Sequence, residues 1–173
     1  MWSTTVGGAR PSALRSVVAR VALGLVVTML GAGTAAAQNA QADRAAVLAT
    51  VQKVFDGMRT RDTALLKSAF DTSARLVGVT RRGTPALTLL TPSRFAAAVA
   101  GAKAGDVWNE RMIDPEVKID GNIAQVWTYY TFHLNDKFSH CGYDAFMLVR
   151  VGDAWRITQL ADTERPDNCP RKD

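Results

Sequence analysis

The chain carries only two cysteines and two histidines in 173 residues. No second Cys/His pair stands at ligand spacing, which excludes a zinc module and leaves no metal site to expect. Long apolar runs are also missing. The run at residues 21–33 is about a dozen residues long, short of the roughly twenty that a spanning helix needs, and Arg20 blocks its backward extension. Clustered positive charge is absent apart from Arg81-Arg82 beside Gly83, which reads as a solvated hairpin tip, so no nucleic-acid partner is expected. There is no internal repeat, and the leader has no twin-arginine pair, which favours export of an unfolded chain without a preassembled cofactor.

What is present begins with that leader. Arg10, Arg15 and Arg20 precede the apolar run, and Ala35-Ala36-Ala37 forms a small-residue cleavage signal, so residues 1–37 read as a cleaved secretory signal peptide. No cysteine lies near the cleavage site to carry a lipid, so no membrane anchor is expected after cleavage. The leader holds three of the 21 basic residues and none of the 16 acidic ones, leaving 18 against 16 and a net +2 for the mature chain. The 136 residues after Ala37 fit one domain with one core. A periplasmic or secreted location is oxidising, which favours pairing Cys141 with Cys169. Closing that loop of about 28 residues would contribute roughly 3 to 4 kcal/mol and tie the tail at 164–173 back to the fold.

After a polar lead-in at 38–42, Val47, Val51, Val54, Phe55 and Met58 recur at helical spacing from a start near Asp43. Asp62 reads as the N-cap of a short second helix carrying Leu65, Leu66 and Phe70. Residues 76–80 and 86–90 suggest a hairpin, and Thr91-Pro92 opens a third, alanine-rich helix through about Ala102. Beyond it the pattern is β. Residues 108–114 alternate up to Pro115, Val117 and Ile119 precede the Asp120-Gly121-Asn122 turn, and 123–134, 142–151 and 154–161 follow as strands. The layout is α+β.

The order of elements, the run Asp120-Gly121-Asn122-Ile123-Ala124-Gln125-Val126-Trp127 with Tyr130 and Phe132 after it, and the ending Gly152-Asp153-Ala154-Trp155-Arg156-Ile157 carry a resemblance. Over 43–163 the chain resembles the nuclear transport factor 2-like superfamily, its SnoaL-like and putative lumazine-binding branches in particular. The resemblance implies three N-terminal helices packed on a strongly bent antiparallel sheet, a cone enclosing a pocket, and commonly a homodimer. Its members include isomerases, dehydratases, epoxide hydrolases and cyclases beside binding modules, so fold alone does not choose a reaction.

Register narrows the candidates. Two-residue turns at Gly121-Asn122 and Gly152-Asp153 place Val117, Ile119, Ala124, Val126, Thr128, Tyr130 and Phe132 on one face, and pair Leu148 with Ile157 and Phe146 with Gln159. An odd-numbered loop within 135–139 aligns the two hairpins without a bulge. Tyr130 then lies opposite Asp144, with His140 and Gly142 on the same face and Gln159 one strand over. Asp144 becomes the candidate general acid or base, Tyr130 its orienting or oxyanion-stabilising partner, and His140 a group at the pocket rim. Thr128, Phe132, Phe146 and Gln159 are the candidate ligand contacts. The competing reading is that Asp144 satisfies the Tyr130 hydroxyl or loop amides and His140 ends a strand at the surface.

Glu110-Arg111 could reach a ligand, but the pattern does not say which residue points inward, and a surface ion pair accounts for both. Cys141 falls on the opposite face with Trp127, Tyr129, Tyr143, Met147 and Leu160, a surface too aromatic for plain solvent and suited to a homodimer interface. His133 and His140 fall on opposite faces. The sequence thus describes an exported domain that binds a small organic molecule, with two alternatives: an isomerase, dehydratase or cyclase using Asp144, or a dimeric interaction module whose pocket is filled by its own side chains.

Overall fold

The computed structural model describes residues 15–80 and 86–172, with side chains from residue 37 onward except at Thr80 and Ala86. It divides into two units, Met1–Ala42 and Asp43–Asp173. The first holds the beginning of helix α1 (Arg15–Thr60). The expected leader falls largely outside the described residues: nothing is described before Arg15, and only helical backbone from there to residue 36. Asp43 is not a helix start, because α1 is already running when it reaches that residue. Among the described residues no helix is long and apolar enough to cross a membrane.

In the second unit α1 buries the stripe Val47, Val51, Val54, Phe55 and Met58. Each such side chain stabilises the fold by about 1.5–3 kcal/mol. Helix α2 (Thr63–Ser68) is capped by the Asp62 carboxylate, which accepts from the amides of Ala64 and Leu65 at 3.0 and 2.8 Å. Its contact with α1 needs Gly57, where a Cβ would lie 2.7 Å from Leu66 Cβ. Phe70, expected on α2, instead opens strand β1 (Phe70–Thr80). The strand pairs with β2 (Ala86–Leu90) as the expected hairpin, whose tip at 81–85 is outside the described residues. Thr91 then caps α3 (Pro92–Ala100) by accepting from the Arg94 amide.

Strands β3 (Trp108–Asp120), β4 (Ile123–Leu134), β5 (Lys137–Val151) and β6 (Ala154–Glu164) complete a six-stranded sheet of order β2-β1-β6-β5-β4-β3. The sheet is mixed rather than purely antiparallel, since β1 runs parallel to β6. A mixed α+β fold therefore stands. The inner face presents Ala124, Val126, Phe146, Leu148, Trp155 and Ile157 to the core, with Phe55 of α1 edge-on to Phe146 at 6.1 Å.

Both two-residue turns have the expected register, with Ile119 opposite Ala124 and Leu148 opposite Ile157. Three β-bulges within the antiparallel run β3 to β6 were not expected. Asp114, at φ 48°, and Pro115 interrupt β3 between Ile113 and Glu116, so Pro115 kinks the strand instead of ending it. The β4–β5 connection is a two-residue turn, Asn135-Asp136, with both residues at positive φ, followed by one extra residue near Ser139. An even loop plus a bulge has the same parity as the odd loop expected. Inward residues therefore stay inward, but Asp144 lies opposite Thr128, and Tyr130 lies opposite Gly142. A third bulge, at Thr158, pairs Phe146 with Leu160 and Met147 with Gln159. It moves Leu160 to the inner face and Gln159 to the outer one.

The outer face is partly closed by the chain's own tail. Cys141 and Cys169 form a disulfide with Cα atoms 6.0 Å apart, and Arg165 exchanges both backbone hydrogen bonds with Cys141. Farther along, Tyr129 Oη donates to Arg171 O at 2.6 Å, and the His133 ring nitrogen Nε2 lies 3.0 Å from Lys172 O. The tail's cations rest on the sheet's aromatics, Arg165 over Tyr143 and Arg171 over Tyr129. Tyr129, Thr131 and His133 are buried as a result.

Candidate functional site

Between the inner face and the helices lies a cavity of about 420 Å³. Its walls are apolar: Val54 and Met58 from α1, Phe95 from α3, and Trp108, Phe132 and Leu160 from the sheet. Into it project three carboxyl groups from three strands, Glu110 on β3, Asp144 on β5 and Asp162 on β6. Among the described residues that line it there is no lysine or arginine. The same set includes no group of three His, Cys, Asp or Glu able to hold a metal ion.

Asp144 is the most enclosed of the three, 2% exposed, and its Oδ2 is buried without a hydrogen-bond partner. Burial drives its pKa well above the ordinary carboxyl range, and the adjacent Glu110 carboxyl adds to the effect by charge and by hydrogen bonding. Glu110 is pushed up to about 8, mainly by desolvation and in spite of its hydrogen bond to Asp144. Two desolvated carboxyls in contact cannot both ionise, so the pair retains at least one proton at neutral pH. Asp162 is raised to about 6 by burial and then by the charge of Glu164, which leaves it ionised at neutral pH. The cavity thus combines a proton donor with a carboxylate.

Tyr130, His140 and Asp144 all line this one cavity. Their mutual contacts differ from the expected ones. Tyr130 Oη donates to Thr163 O at 2.9 Å, and its ring lies over Gly142, where a Cβ would be 2.6 Å from Tyr130 Cε1. The hydroxyl is therefore committed to backbone, and burial together with the nearby Glu110 charge raises its pKa. The ring of His140 stacks on Phe132 at 4.7 Å and meets Tyr130 edge-on at 5.8 Å. Its Nδ1 is 3.1 Å from Ser139 Oγ.

Of the four expected ligand contacts, Phe132 lines the cavity. Thr128 is fully buried and spends its hydroxyl on Ile113 O at 3.0 Å. Phe146 belongs to the core below, and Gln159 is exposed on the far side of the sheet. Glu110, expected in a surface ion pair, points inward opposite Phe132, while Arg111 is exposed. Asp162 escaped notice altogether. A signal for it does exist: the apolar positions of β6 change phase between Trp155, Ile157 and Leu160, which marks the bulge and turns Asp162 inward.

Comparison with known proteins agrees with this architecture. Residues 42–160 match the family described as "Putative lumazine-binding". No curated protein matches the chain in sequence. Among solved structures it is similar to an NTF-2 like protein of unknown function from Silicibacter pomeroyi, at 20% identity and TM-score 0.57 over 73% of this chain and 98% of that one. An NTF2-like protein with a cystatin-like fold from Novosphingobium aromaticivorans is 13% identical, with TM-score 0.59 over 79% and 90%. An NTF2-like protein of unknown function from Shewanella baltica is 16% identical, with TM-score 0.57 over 72% and 95%. At these identities the structural likeness speaks for the fold alone. The family match covers most of the sequence, and the chain belongs to the putative lumazine-binding family, with a fold like that of the NTF2-like proteins.

Proposed function

We propose that the protein is exported by its leader to the periplasm or the exterior, and that it binds a small organic molecule in the cavity between helices and sheet. The observation that carries this reading is an apolar space of about 420 Å³, large enough for a ligand, with the carboxyl groups of Glu110, Asp144 and Asp162 in its wall. The proposal includes a strongly bent, cone-like sheet, supported by the three bulges. It also includes a second copy of the chain on the outer surface that the tail leaves uncovered, where Trp127 and Met147 are 44% and 37% exposed.

Isothermal titration with naphthylmethanol, a neutral aromatic alcohol, tests the cavity. One saturable site is expected, lost in Leu90→Trp, which narrows the cavity, with the denaturation midpoint preserved. Failure to saturate, or equal binding by the variant, removes the reading.

A second reading, catalysis, is favoured by the proton shared between Asp144 and Glu110, since a raised carboxyl suits general acid or base work on carbonyl or hydroxyl compounds. Loss of a turnover in Asp144→Asn at unchanged stability would carry it.

A further inference from the structure

The geometry points to an apolar amine, a protonated nitrogen on an aromatic or aliphatic body, as the class of ligand this cavity accepts, with Asp162 as its counter-ion. The inference rests on the cavity's being a binding site and goes on to its chemistry. Asp162 and Asp144 are directly opposed on β6 and β5, which places their Cβ atoms about 5 Å apart. An ammonium group between them has three donors to satisfy. Asp162 offers a carboxylate, and the Asp144 carboxyl beside it in the same wall offers a second polar group. Gly78 on β1 is the residue paired with Asp162 on its other side. Beyond the carboxyls, Trp108, Phe132 and Tyr130 present aromatic surface to the apolar body and to the cation.

Charge selects in the same direction. The ionisable groups around Asp162 are Glu164 on its own strand, Asp144 and His140 on β5, Glu110 on β3 and Tyr130 on β4. From β1 and β2 the neighbours are the neutral Gly78 and Thr88, and α1 and α3 contribute only apolar side chains to the wall. An anionic ligand would meet acidic groups on three strands. A neutral one would leave the half-buried Asp162 without a counter-charge.

The test uses three probes of one shape: naphthylmethylamine, naphthylmethanol and naphthoate, titrated calorimetrically into the full chain at about pH 7.5, where Asp162 is ionised and the amine protonated. The amine should bind at least about tenfold more tightly than the alcohol, and the naphthoate most weakly. Near pH 5, as Asp162 takes up its proton, the preference of amine over alcohol should shrink to about threefold or less. Asp162→Asn should give the same loss of preference for amine over alcohol at about pH 7.5. Equal binding of amine and alcohol by the parent would overturn the amine assignment and leave the cavity reading intact. A preference that persists in Asp162→Asn, or at the lower pH should that variant not fold, would remove Asp162 as the counter-ion. Binding of none of the three would overturn the cavity reading itself.

Discussion

The two faces of the β4–β5 ribbon are built from the same strands and end in opposite conditions. Along β5, His140, Gly142 and Asp144 point inward while Cys141 and Tyr143 point outward. Outside, the chain folds its own tail over the sheet and locks it with a disulfide. Inside, helices and sheet leave about 420 Å³ unfilled, with three carboxyls in its wall. The two histidines show the contrast at one residue type. His133, 4% exposed, is spent on the backbone of Lys172, whereas His140 borders the cavity. Residue type does not decide which face can bind. What closes over each face does.

The strongest way to break the contrast is at Gly142, where the two faces depend on one missing side chain. A Cβ there would lie 1.7 Å from Thr163 O, a backbone atom that cannot rotate away. Gly142→Ala should therefore cost more than about 3 kcal/mol in urea denaturation. A loss under about 1 kcal/mol would mean that β6 can withdraw and that the Tyr130 to Thr163 bond is dispensable.

Opening the outer face alone comes next. Cys169→Ser releases a loop spanning a sequence separation of 28, and stability should fall by about 3 kcal/mol. The tail should become protease-sensitive while naphthylmethanol binding in the surviving native state stays the same. A parallel loss of binding would show that the faces are coupled and that the distinction between them is wrong.

The legible parts of this fold are those written locally. Asp62 and Thr91-Pro92 mark helix starts because a cap acts over three residues, and Gly121 and Gly152 mark turns because both adopt positive φ. The disulfide was legible from a count of two and from the compartment that the leader leads one to expect. Bulges were harder to read, because one extra residue has no compositional mark and shows at most as a change of phase in the apolar positions, as between Ile157 and Leu160. Ser139 and Thr158 look like ordinary strand residues, yet they decide whether Asp144 meets Tyr130 or Thr128, and whether Gln159 or Leu160 points inward. For the same reason Asp162 had no role assigned and Glu110 was placed in a surface ion pair. The parallel β1–β6 pair is nonlocal, and no periodicity along either strand records it.

The gentlest probe is pH, which should move the inner face and not the outer. A carboxyl raised by burial is easier to protonate in the folded chain than in the unfolded one. Its contribution is therefore fully present below the unfolded pKa and is lost as pH climbs to the folded value. For Asp162 that window runs from 3.8 to about 6, and for Glu110 from 4.5 to about 8. Unfolding free energy should accordingly decline from near pH 4 to near pH 8, with Asp162 responsible for on the order of 2 kcal/mol of it. Asp162→Asn removes that group's titration, so the variant should gain on the parent above pH 6 and lose its advantage toward pH 4. The Cys169→Ser variant should keep the parent's slope, because no carboxyl of the cavity depends on the tail. If Asp162→Asn left the slope unchanged, Asp162 would be solvated rather than buried in the wall, and the inner face would hold one acidic pair instead of three acidic groups.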